Sequence, residues 1–387
     1  MKKNIAIIGA GYTGLVAAYE LLKNRYSVTI YEKSPSIGGL ASDFVVEGTY
    51  LEKAYHHLFR TDTDIISLIE ELGLADKLKW HRSSVGLYFN KKMWPFMTPI
   101  DLLAFRPISL VARLRIGITT LFLQKFPNYK PFLKQTAYNW MHQFAGKEGT
   151  NAIWGPLLKG KFHNFYDKIS MAWLWARIHT RGGSKNPGES IERLGYPEGG
   201  FEVITKALVG KITELGGRIT TNADISEIKS ENTPSVIVNG QINTFDAIIA
   251  TVPSSVFARL TPSLDSKYHK KLNSIDYLGA VVHVFTSEQS LSDFYWHNIN
   301  ETGAPFLVFI QHTNLIDKSQ YNGRHVYYIG SYVPHDHRYF TDEKEKTITT
   351  WYDYLQTIFP EFDRSKINES HFFQFRNAQH IVTTDYL

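Results

Sequence analysis

The sequence predicts an α/β chain in which a parallel sheet is joined to a part built on an antiparallel sheet. Three observations carry this. An apolar run, a glycine-spaced turn, a helix and a second apolar run follow one another in residues 4–32. A helix, short strands and an apolar strand follow at 196–253, with a hairpin signal among them. Strand-like stretches alternate with helical ones from 260 to 387.

Residues 4–8 are a short continuous apolar run, the pattern of a buried parallel strand. Gly9-Ala10-Gly11-Tyr12-Thr13-Gly14 follows at once, then a helix over 15–23 and a second β-rich run over 27–31 closed by Glu32. Each part has a physical task. Gly9 permits the tight turn out of the strand, Gly11 leaves room for a pyrophosphate against the backbone, and Gly14 lets helix and strand touch. The helix end offers free N–H groups to the phosphates. The Glu32 carboxylate, at the end of the second strand, is placed to accept from both hydroxyls of a ribose. A Rossmann-like dinucleotide unit is the reading, and an acid at Glu32 argues against a 2′-phosphate.

The next residues are Lys33-Ser34-Pro35-Ser36-Ile37-Gly38-Gly39-Leu40-Ala41, a turn with a Gly pair. This resembles the extended FAD fingerprint of the amine oxidase, protoporphyrinogen oxidase and phytoene desaturase superfamily. The resemblance implies FAD as cofactor, with Gly38, Gly39 and Leu40 against it. Tyr12 and Thr13 inside the turn and Lys33 beside the acid are expected contacts as well. His56 and His57 stand where relatives carry a histidine close to the flavin ring. Two adjacent histidines also suggest a metal, but neighbours on a strand point to opposite faces, so no metal is expected.

The same resemblance covers the second segment. Tyr196-Pro197-Glu198-Gly199-Gly200-Phe201 precedes an amphipathic helix ending at Gly216-Gly217. Gly199 and Gly200 are read as shaping the helix start. Strands are expected at 218–221 and 225–229, a hairpin around Asn239-Gly240, and a buried strand over 246–251. By resemblance Ile225 lays its backbone on the adenine and Thr251 stands at the sheet edge beside the cofactor. Residues 1–80 and 196–260 are thus assigned to the FAD-binding domain. Residues 81–195 and 261–387 form an α+β substrate domain, with 280–285, 306–311 and 325–332 as strands of one antiparallel sheet and a helix over 347–359.

Residues 60–80 read as helical and 80–93 as strands around a turn at Asn90-Lys91-Lys92. The stretch 99–124 reads as mostly helical, and 94–125 as a whole is aromatic, apolar and basic, with Arg106, Arg113, Arg115 and Lys125 and almost no acid after Asp101. Helices packed on a core, with solvated arginines, are the preferred reading. Peripheral contact with a membrane is the alternative. Lys159 and Lys161 are taken as surface charges, with contact to an acidic substrate group as the alternative.

The chain has 387 residues, a net charge of +5 and no cysteine. That balance is too weak to argue for nucleic acid, and disulfides, thiolate metal sites and a cysteine nucleophile are excluded. Lys2 and Lys3 before an apolar run imitate a signal peptide, but the glycine spacing explains that run better. No uninterrupted apolar stretch of about 20 residues is present. A cytoplasmic enzyme is expected, at most peripheral on the inner face of the membrane.

The resemblance implies hydride transfer from a C–H or C–N bond of a small-molecule substrate (an amine, porphyrinogen or polyene) to FAD. Catalytic side chains and oligomeric state are not legible. A non-redox flavin mutase similar to UDP-galactopyranose mutase is one alternative, and a degenerate binding module the other. Relatives close with a third FAD segment, and nothing like it stands before Leu387, so the sequence is expected to be shortened there.

Overall fold

The computed structural model describes residues 2–186, 188–189, 191–230 and 233–386. Strand β1 (Asn4–Ile8) is followed by helix α1 (Tyr12–Lys23) and strand β2 (Ser27–Tyr31). The parallel sheet has four strands in the order Ala247–Ala250, β1, β2, Arg218–Thr220. β1 and β2 are thus the inner pair, and the two outer strands that flank them arrive from more than 180 residues down the chain. Helix α1 turns Leu15, Ala18, Tyr19 and Leu22 into one core cluster with Leu208 and Ile212 of the helix Glu202–Glu214. Each large side chain so buried contributes roughly 1.5–3 kcal/mol. The sheet's other face packs on a three-stranded meander, Ile225–Lys229, Ser235–Val238 and Gln241–Thr244. Asn239 and Gly240 join the last two with φ of 50° and 78°, the left-handed pair a two-residue hairpin requires.

A seven-stranded sheet forms the second layer. Its order is Ile367–His380, Tyr277–Ser287, His325–Val333, Val308–Gln311, Trp296–Ile299, Val85–Phe89, Lys92–Pro95. The three expected strands fall in it, but the sheet is not purely antiparallel. Trp296–Ile299 runs parallel to Val85–Phe89, because the latter reaches the sheet from the first hundred residues by a long crossover. A further strand missing from the sequence reading, Arg193–Pro197, pairs antiparallel with Leu78–Arg82 and leads into the Gly199-Gly200 turn.

The basic stretch is two helices, Pro99–Ala104 and Leu110–Lys125, capped by Thr98 and Ser109. One face packs on a core as expected, but much of the apolar surface lies outside it. Ala112, Ile116, Thr119 and Leu123 form the buried face. Leu110, Val111, Leu114, Ile118, Leu121 and Phe122 face outward, Val111 and Ile118 being 69% and 70% exposed. Periodicity reports that a helix has an apolar face but not what covers it.

Candidate functional site

The site is built where β1 ends. Gly9 has φ +103°, and the Thr251 hydroxyl donates to the carbonyls of Ile8 (2.9 Å) and Gly9 (3.2 Å), locking the turn from the neighbouring strand. A Cβ on Gly14 would lie 2.0 Å from the Gly9 carbonyl oxygen, so the helix can approach this closely only with glycine there. At Gly11 the reverse holds: an added Cβ meets nothing nearer than the Gly39 Cα at 3.8 Å, leaving room at the mouth of the turn. The Leu15 N–H makes the first helical bond, to Gly11. The N–H groups of Tyr12, Thr13 and Gly14 therefore have no intrahelical acceptor.

The Gly pair interlocks with this turn. Gly38 donates its N–H to the Ala10 carbonyl at 2.9 Å, and a Cβ on Gly39 would sit 3.1 Å from the Gly11 Cα. Both have positive φ, 105° and 63°. Leu40 is exposed beside them. Glu32 Oε2 accepts the Ala10 N–H at 2.7 Å and Oε1 the Ser34 N–H at 2.8 Å. A carboxylate has about four lone-pair sites, so each oxygen retains capacity for a ribose hydroxyl. Free N–H groups, an open glycine and this fixed acceptor together fit the ADP half of a dinucleotide.

Other expected contacts take more specific places. The Tyr12 hydroxyl bonds to the Phe201 carbonyl (3.1 Å) and the Thr205 hydroxyl (3.0 Å), tying α1 to the second segment. Thr13 is exposed at the helix end, and Lys33 is exposed with Asp224 at 4.0 Å. Ile225 begins the meander's first strand, just beyond Ala223, whose N–H bonds to the Glu32 carbonyl at 2.9 Å.

His56 and His57 lie in irregular chain rather than on a strand, yet they diverge. His56 Nδ1 bonds to the Ala54 carbonyl at 2.7 Å and its ring lies 5.9 Å from that of Phe201. His57 turns to the seven-stranded sheet, bonding to the Tyr295 hydroxyl at 3.2 Å with its ring near Trp296. Burial, with help from the charge of Arg181, pushes the His57 pKa down to about 3, so the ring is neutral. Tyr55, beside them, packs edge-on against Trp296 and Tyr328, at 5.0 and 6.0 Å between centroids.

Sequence reasoning missed Glu52. Its carboxylate is fully buried and accepts from the Tyr196 hydroxyl (2.8 Å) and the Phe201 N–H (2.6 Å), holding the Gly199-Gly200 turn against the first segment. Burial raises its pKa to about 7 despite both bonds. Burial and the nearby charge of Glu52 also push the Asp43 pKa upward, and neither Asp43 oxygen has a donor. A strand acid with partners this far along the chain gives no local signal.

Fold and cradle together define a dinucleotide-binding flavoprotein. The family model described as flavin containing amine oxidoreductase matches residues 12–381, and the chain belongs to that family. Its cofactor is FAD. The mitochondrial protoporphyrinogen oxidase of Nicotiana tabacum is 25% identical over 44% of this chain and 34% of its own length. The coproporphyrinogen III oxidase of Staphylococcus aureus is 25% identical over 66% of this chain and 62% of its own. The chain thus spans about a third to three fifths of these relatives. Reduced UDP-galactopyranose mutase superposes with a TM-score of 0.73 at 17% identity, over 99% of this chain and 84% of that one.

Proposed function

We propose that the protein is an FAD-dependent oxidoreductase acting on a C–H or C–N bond of a lipophilic small molecule, in the amine, porphyrinogen or polyene class. One observation carries the reading. The segment that leaves the glycine cradle runs through Glu52 straight to Tyr55, His56 and His57, and there meets an aromatic wall on the seven-stranded sheet. FAD supplies acceptance of the hydride. Gly9, Gly11, Gly14, Glu32, Gly38 and Gly39 hold its ADP half. Tyr55, Trp296 and Tyr328 exclude water and orient a flat or apolar substrate. His57, neutral, exchanges hydrogen bonds but carries no charge.

A groove of about 520 Å³ supports a lipophilic substrate. It is lined by Phe96, Leu102, Leu114, Ile118 and Trp154 and reaches Arg181. That is a usual size for a small-molecule site. Its outer rim is the exposed apolar face of Leu110–Lys125, rimmed by Arg106, Arg115 and Lys125, and no helix among the described residues is long and apolar enough to cross a membrane. We read this face as a peripheral membrane contact of a cytoplasmic enzyme.

The test is spectral. The purified protein is expected to carry a flavin spectrum, bleached anaerobically by one of the three donor classes. A flavoprotein that no donor bleaches, but that isomerises a sugar nucleotide when reduced, would replace the reading by the mutase alternative. A colourless protein that takes up no FAD would leave a binding module.

A further inference from the structure

The helices Gly155–Phe162 and Met171–Gly183 bring two cations together without an anion. Lys161 was expected on the surface and is 7% exposed. Its ammonium lies 4.0 Å from the centre of the Tyr332 ring and 5.9 Å from that of Trp173. The Arg177 guanidinium lies 5.6 Å from the Trp173 ring, one helical turn along. Among the described residues no carboxylate lies within ion-pair reach of either. The contrast with the next turn is sharp. Arg181, on the same helix face, is paired with Glu192 at 3.2 Å, and Arg193 with Glu189 at 2.9 Å. Arg177 itself is open to solvent. Burial of part of the side chain lowers its pKa, and Tyr332, Arg181, Tyr55 and Asp62 are the titratable groups that act on it.

Burial, and then the neighbouring charge of Arg177, push the Lys161 pKa well down, so the ammonium keeps its proton best where an anion stands beside it. Stacking on an aromatic ring offsets only part of that burial. We infer that Lys161 and Arg177, walled by Tyr55, Tyr332 and Trp173, form an anion subsite that takes an acidic group of the substrate, a carboxylate or a phosphate. The arginine fork and the ammonium both donate, and one oxyanion group satisfies both. The subsite is separate from the diphosphate cradle, which is made by β1, α1 and the Gly38-Gly39 turn. The inference rests on the reading of this cleft as the substrate's, and adds that the substrate is amphiphilic, apolar toward the groove and acidic at Lys161 and Arg177.

The experiment uses the FAD-loaded protein and two probes, succinate and inorganic pyrophosphate, at constant ionic strength. Each is titrated while the flavin absorbance is recorded. A saturable spectral shift is expected with at least one, and the tighter probe names the group. Lys161→Met and Arg177→Gln are each expected to weaken it about tenfold or more, as the loss of a charge-assisted bond does. Lys161→Arg keeps it within a few fold. Lys161→Met is also expected to raise Tm, since it removes an unpaired buried amine at nearly equal volume. Absence of a saturable shift, or equal affinity in the Met and Gln variants, overturns the subsite. If Lys161→Met does not fold, Arg177→Gln, at an open position, decides alone. A protein that binds the probe through these residues but is reduced by no donor refutes the oxidoreductase reading and leaves the subsite. One that is reduced by a neutral donor and ignores both probes refutes the subsite alone.

Discussion

The hydroxyl of Thr251 and the carbonyl of Gly9 are hydrogen-bonded at 3.2 Å, and the same hydroxyl reaches the Ile8 carbonyl at 2.9 Å. The last strand of the parallel sheet therefore fixes the first turn of the chain. A side chain that acts on the cofactor through the turn is a positioning residue. Thr251→Val keeps the shape and deletes the donor, so apoprotein titration is expected to show FAD binding weaker by about 1 kcal/mol. Thr251→Ser restores it. Equal affinity of the Val variant would remove Thr251 from the site.

Gly14 and Gly11 separate folding from binding. In Gly14→Ala the new Cβ meets a backbone oxygen at 2.0 Å, which no rotamer relieves. The apoprotein is expected to lose about 1–3 kcal/mol of stability, as overpacked sites do, and FAD binding with it. Gly11→Ala meets nothing closer than 3.8 Å. Its apoprotein is expected to melt as the native one does while failing to bind FAD. Thermal unfolding with and without FAD distinguishes the two.

Glu32 tests the ribose assignment. Its two oxygens already take backbone N–H groups from Ala10 and Ser34, so it is held in place before any ligand arrives. Glu32→Ala is expected to weaken FAD binding by about 1.5–3 kcal/mol, the range for hydrogen bonds to a charged group. Unchanged affinity by fluorescence titration refutes the assignment.

Buried titratable groups make the stability depend on pH between 5 and 6.5. His57 and His312 have pKa values pushed down to about 3, and His283 and His297 to about 4, all chiefly by burial. Their stabilisation is complete above the unfolded value of about 6.5 and is lost as pH falls toward the folded values. Glu52 works in the opposite sense. Its folded value of about 7 lies above the unfolded 4.5, so its contribution is full below 4.5 and is lost as pH rises from there to 7, at about 1.4 kcal/mol per unit. Asp43 shifts in the same direction. Four histidines outweigh two acids between pH 5 and 6.5, so Tm is expected to rise across that window. Glu52→Gln removes an opposing slope and is expected to steepen the rise; an unchanged slope would remove Glu52 from the balance.

What the sequence disclosed and what it hid divide by distance along the chain. The places of Gly9, Gly11, Gly14 and Glu32 are set by neighbours within one βαβ unit, so spacing alone located them in the turn and at the strand end. Glu52 finds its partners 144 and 149 residues away. Lys161 lies on a short helix that is buried on several sides, where no amphipathic pattern marks a hidden charge. The strand Arg193–Pro197 carries arginine and glycine and depends on pairing with Leu78–Arg82. In each case the missing information is which remote surface the chain meets.

The outward face of Leu110–Lys125 is the last instance, and it yields a test of the membrane reading. Val111, Leu114, Ile118 and Leu121 present side chains to solvent along two successive stripes, with Arg106, Arg115 and Lys125 exposed around them. Exposed apolar rows of this extent mark a contact surface. Basic residues near an anionic lipid surface add about 1 kcal/mol each, screened within a Debye length. The protein is expected to sediment with phosphatidylglycerol-containing vesicles, less so as salt rises, and only weakly with neutral ones. Val111→Glu with Ile118→Glu should leave it in the supernatant with Tm unchanged, because neither side chain belongs to the buried face of Ala112, Ile116 and Leu123. Native protein that stays in solution with both kinds of vesicle, or a double variant that still sediments, would show that this face meets something other than lipid.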